Sequence, residues 1–156
     1  MKRQLSLAVF TFLVLSFVAL AVPAFAHHGF QFEYDASKYV YITGVLTKVE
    51  WENPHIYFNV DSKMSAENPT VPDPSGKVTS WRFEGSSATL VQRSGTSREE
   101  FVGNIGKTVT VRACPGRGNL PKAAAELVTL PGNREIVVAR KRYYGDNPTS
   151  DKDSDN

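Results

Sequence analysis

Three histidines are the residues of this sequence best suited to chemistry: His27 and His28, adjacent to each other, and His55 in Asn53-Pro54-His55. A histidine at a chain's N-terminus offers two donors at once, its α-amine and its ring Nδ1, which close one chelate ring on a metal ion. A second imidazole opposite them completes a T-shaped set of three nitrogens. Nitrogen-rich, tetragonal sets suit Cu(II), which also heads the affinity order of the divalent first-row metals. The amine must lose its proton to bind, and an ordinary pKa of about 8 allows this near neutrality. Copper is therefore the expected metal, with His27 the first ligand, His55 the next and His28 the third. Glu84 or Tyr57 would stand in the outer shell and hold a ligand by hydrogen bonding. The plainer reading makes His28 a polar neighbour and His55 a turn residue after Pro54. Cys114, the single cysteine, could bind copper as a thiolate, but a lone cysteine is more commonly a small buried apolar residue.

His27 reaches an N-terminus only if the chain is cut before it, and the residues upstream are built for that. Lys2-Arg3 precedes an uncharged apolar run over 5–22, and Pro23-Ala24-Phe25-Ala26 supplies a helix breaker and an A-x-A site. This is the pattern of a secretory signal peptide, cleaved after Ala26. The alternative is an uncleaved anchor, because the run could just span a bilayer. With residues 1–26 removed, the mature chain is expected to be periplasmic or secreted and free of the membrane. It is expected to be one domain over 27–142 with a disordered acidic tail over 143–156. One cysteine excludes an internal disulfide, so the domain must hold by packing.

Charge narrows the partners further. Of eighteen basic residues Lys2 and Arg3 leave with the signal, and the remaining sixteen match the sixteen acidic ones. A chain without net positive charge lacks the electrostatic footprint that phosphate backbones demand, so nucleic acid is not an expected partner. Enzyme motifs are also missing. Gly106-Lys107-Thr108 resembles the end of a phosphate-binding loop, but the required first glycine position holds Phe101 and a strand follows instead of a helix. There is no G-x-S-x-G elbow. Glu50 and Glu52 share a strand face, which reads more simply as a solvated surface than as a catalytic pair. The chain is more readily a non-enzyme.

The elements that must position the histidines are mostly strands. Val45, Thr47, Val49 and Trp51 alternate with Leu46, Lys48 and Glu50 until Asn53-Pro54 breaks the ladder. The next run sets Ile56, Phe58 and Val60 on one face, with His55, Tyr57 and Asn59 on the other. After a polar, proline-bearing loop over 62–77, Trp81 and Phe83 alternate with Arg82 and Glu84. A short helix capped by Ser86-Ser87 and closed at Gly95 comes next, then a further turn with capping-box spacing at Thr96 and Glu99. Strands over about 106–113, 124–130 and 136–139 complete the set. Three strands, a helix and two or more strands is the order of a small, all-β, antiparallel OB-like barrel of five to six strands, with one short helix between strands three and four. The aromatic arm over 27–41 is expected to pack across it. Trp51, Trp81 and Phe83 follow the apolar alternation and are expected in the core; were they exposed, they would form a stacking platform instead.

Taken together, the motifs resemble a family of small secreted bacterial proteins that is catalogued as a domain of unknown function. Its members typically read A-H-H-x-F near the cleavage site, then W-x-N-P-H, then W-x-F-E-G. Here these are Ala26-His27-His28-Gly29-Phe30, Trp51-Glu52-Asn53-Pro54-His55 and Trp81-Arg82-Phe83-Glu84-Gly85, within a resemblance covering about 26–139. The resemblance implies export and a single domain, and it brings no activity with it. The leading expectation is a periplasmic copper-binding carrier, buffer or chaperone, with an envelope protein as a further partner. The alternative is an OB-like periplasmic module that binds an oligosaccharide, a peptide or an envelope partner, with the histidines incidental.

Overall fold

Apolar alternation builds six strands: β1 (Val40–Glu50), β2 (Tyr57–Ser62), β3 (Thr79–Glu84), β4 (Thr108–Pro115), β5 (Lys122–Leu130) and β6 (Arg134–Val137). Between β3 and β4 lie two short helices, α1 (Ala88–Arg93) and α2 (Arg98–Val102). The structure is a computed structural model that describes residues 32–139. The expected signal segment, His27, His28 and the acidic tail over 143–156 lie outside the described residues. The chain divides into two units, Met1–Phe32 and Glu33–Asn156, and every strand and helix named here belongs to the second. Among the described residues no helix is long and apolar enough to cross a membrane.

The strands run in the order β3-β2-β1-β4-β5, and β3 pairs again with β5 to close a five-stranded barrel, with β6 outside against β5. The fold is thus a small all-β barrel with the connectivity of an OB-like fold. Two details differ from the expectation. The closing pair is parallel, joining Arg82, Phe83 and Glu84 to Lys122, Ala123 and Ala124, so the barrel is mixed. The further helical turn expected after Gly95 forms a second short helix, α2, beside the one helix named for the fold, and each has its own serine cap: Ser87 accepts from the Leu90 amide and Ser97 from the Glu100 amide. The second cap is Ser97, one residue beyond the expected Thr96, which is itself buried.

The core is filled by Ile42, Leu46, Phe58, Val60, Trp81, Phe83, Phe101, Val109 and Val111, all at most 1% exposed. Phe58 stacks on Phe83 with ring centroids 5.1 Å apart and meets the edge of Phe101 at the same distance, arrangements that add to simple area burial. Trp51 is partly buried against the core, and its ring meets Phe101 at 6.0 Å. Its indole nitrogen is buried and has no hydrogen-bond partner among the described residues.

The alternation in β1 does not hold from end to end. A register shift between Leu46 and Lys48 inserts a bulge, and the inward face changes parity there. Ile42 and Leu46 point inward before it, Val49 and Trp51 pack on the core after it, and Val45 is left 39% exposed. The bulge therefore turns the end of β1, and the loop carrying His55 leaves from that end.

Candidate functional site

His55 sits in the connection between β1 and β2, and two backbone bonds fix where it stands. The Ile56 amide donates to the Ser86 carbonyl at 2.9 Å, and the Gly85 amide donates to the Ile56 carbonyl at 2.9 Å. These bonds extend the β2–β3 pairing past its named ends and set residue 55 beside residues 84 and 85. Gly85 is needed for the approach, since a Cβ there would lie 2.8 Å from the Ile56 side chain. Ile56 is fully buried, which sends the ring of its neighbour His55 to the outer, polar face. Tyr57 shares that face, its ring centroid 6.5 Å from that of His55.

The His55 ring is held at one nitrogen. Nδ1 lies 3.1 Å from the Gly85 carbonyl oxygen and 3.2 Å from Glu84 Oε1. A carbonyl oxygen can only accept, so the contact places the proton on Nδ1 and leaves the lone pair of the neutral ring on Nε2. Glu84 is itself held: Tyr34, 5% exposed, donates its hydroxyl to Glu84 Oε2 at 2.8 Å. Burial first, and then the nearby Glu84 charge, push the Tyr34 hydroxyl well above the ordinary tyrosine range, so it remains a proton donor. A chain Tyr34–Glu84–His55 thus runs from the barrel wall to a one-third-exposed imidazole. Imidazoles that ligate metals are oriented in this way, the far ring nitrogen giving its proton to a carboxylate or carbonyl.

Of the three histidines expected to bind metal, the described residues contain His55 alone, and His27 and His28 lie outside them. Among the described residues there is no group of three or more His, Cys, Asp or Glu side chains arranged to hold a metal ion. Glu84 stands against His55 Nδ1, and Tyr57 lies alongside the ring. Glu50 pairs with Lys48 at 2.6 Å and with Arg82 at 3.2 Å, as a solvated surface group does. A depression of about 500 Å³ between the 62–77 loop and the 116–121 turn contains no histidine.

Cys114 takes the plainer of its two readings. It is fully buried, and burial together with the Glu126 charge pushes its thiol up to about 12. A thiol held protonated is a poor metal ligand and a poor nucleophile. At pH 8 the native protein should therefore react with iodoacetamide at least about a hundredfold more slowly than the unfolded chain, whose thiol has a pKa near 8.5. Equal labelling rates, followed by mass spectrometry, would show an accessible thiolate instead.

Sequence reasoning missed Tyr34 as a site residue, because nothing in its spacing distinguishes it within the aromatic arm. It also missed the ion pair of Arg112 and Glu126, 3.1 Å apart, with Glu126 3% exposed. Glu126 falls where the β4–β5 register shifts, an irregularity with no local sequence marker.

The chain belongs to a family of unknown function, DUF6152, whose model matches residues 15–123. The matched stretch includes all three histidines, Tyr34 and Glu84. No curated protein matches the chain.

Proposed function

We propose that this DUF6152 protein binds copper in the bacterial cell envelope and acts as a carrier, buffer or chaperone for it. In this reading cleavage after Ala26 makes His27 the first residue. The metal is then bound by the His27 α-amine and Nδ1 and by His55 Nε2, with His28 the next available imidazole. The observation that supports the reading is the setting of His55, whose Nδ1 is committed to Gly85 and Glu84 while its Nε2 is left with the lone pair. An imidazole fixed in one tautomer loses little freedom on binding, and a hydrogen-bonded carboxylate raises its basicity. The chelate of His27 is drawn from its position in the sequence and the chemistry of an amine beside an imidazole.

The test is a Cu(II) titration of the exported protein, followed by electron paramagnetic resonance. One copper per chain, in a tetragonal site with nitrogen hyperfine coupling, is the expected result. A chain that takes up no copper in a saturable way, or holds it through oxygen donors alone, would overturn the reading.

A further inference from the structure

A second feature of the same barrel face shares Tyr34, Tyr57 and Glu84 with the setting of His55 but adds two basic residues that the copper reading does not use. Where β3 and β5 pair, Arg82 and Lys122 are direct register partners, two like charges side by side across a strand pair. They line a cleft of about 250 Å³ with Glu33, Tyr34, Tyr57 and Glu84.

Each charged group in the cleft is anchored by a neighbour. The Arg82 guanidinium lies 4.4 Å from the Tyr57 ring centroid and donates to Glu50 at 3.2 Å. Lys122 lies over the Tyr34 ring at 5.4 Å and donates to Glu33 at 3.1 Å. Glu84 is held by Tyr34 and His55. These anchors use only part of each group's capacity, since a guanidinium carries five N–H donors, an ammonium three, and a carboxylate about four acceptor sites. The cleft therefore presents fixed donors and acceptors with bonds to spare, which lowers the ordering cost of binding a polar molecule.

Charge and size select the molecule. Arg82 and Lys122 are balanced by Glu33 and Glu84, so neither an anion nor a cation gains net attraction. A neutral ligand rich in hydroxyls, able both to donate and to accept, satisfies the cleft best. The volume is below the roughly 300–1,000 Å³ usual for a whole drug-sized ligand, which suits one ring with the rest of the molecule lying outside. We infer that this cleft binds a single residue of a neutral saccharide through Arg82, Lys122 and Glu84.

Amide-resolved NMR of the metal-free protein tests this with maltotriose, cellotriose and chitotriose as neutral probes and trigalacturonate as a charged one. The expected result is saturable shifts around Arg82, Lys122 and Glu84 with at least one neutral probe, unchanged by added salt. Arg82→Ala should weaken that binding about tenfold or more, as loss of a hydrogen bond to a charged group does. Lys122→Ala, on the opposite strand, should do the same, which guards against a fold defect in either variant alone. Absence of saturable shifts with all three neutral probes would overturn the inference. So would binding of trigalacturonate alone with an affinity that falls as salt is added, the mark of an anion site. The assay contains no metal, so either outcome leaves the copper reading to its own test.

Discussion

His55→Ala should lower the Cu(II) affinity of the mature protein by more than about a hundredfold while leaving the barrel folded. Loss of an outer-shell partner alone typically costs 10–100-fold in metal affinity, and loss of the ligand itself should exceed that. The ring is one-third exposed and lies outside the core cluster, so its removal costs its contacts with Gly85 and Glu84 and leaves the core packing intact. The two readouts together separate a ligand from a structural residue: affinity by competition titration, and melting temperature by circular dichroism. Unchanged affinity would leave His55 as a turn residue after Pro54, with its ring merely satisfied by Gly85 and Glu84.

Trp81→Ala should give the opposite pattern, a large loss of stability. Trp81 is 1% exposed and stacks against Phe83 at 6.4 Å. Its indole nitrogen donates to the Met64 carbonyl at 3.4 Å, which ties the 62–77 loop to the barrel. Truncating a buried tryptophan to alanine costs about 3–5 kcal/mol, a large share of the 5–15 kcal/mol that holds a typical domain. Thermal unfolding should move down by more than about 10 °C. An unchanged melting temperature would mean that Trp81 is not part of the core and would reopen the reading of the aromatics as a stacking platform.

The barrel was legible in the sequence because its strands keep strict alternation where they matter. Ile56, Phe58, Val60, Trp81, Phe83, Val109 and Val111 all occupy the face that their parity indicates. The failures have local causes. The bulge after Leu46 reverses the parity of β1, so Val45 before it faces out while Val49 and Trp51 after it pack on the core, and alternation alone does not reveal the shift. The parallel β3–β5 closure depends on contacts between segments about forty residues apart, and neither strand carries a sign of its partner's direction. In the site, the polar orientation of His55 followed from the apolar character of Ile56 and Phe58, and Glu84 could be placed nearby because it ends the adjacent strand. Tyr34 could not, because only the fold brings its hydroxyl 2.8 Å from Glu84 across fifty residues of chain.

The measurement that bears most directly on the copper reading compares two forms of the protein: the chain beginning at His27, and the same chain with three alanines added before it. The added residues convert the His27 amine into an amide nitrogen, so amine and Nδ1 can no longer close the same chelate ring, and they keep both His27 and His28 out of the third position, where amine, two amides and an imidazole would make a different tight Cu(II) site. The expected result is one tightly held Cu(II) in the first form and an affinity more than about a hundredfold lower in the second, since a ligating nitrogen is lost outright. Equal affinities in the two forms would contradict the account and remove the N-terminal histidine from any copper site.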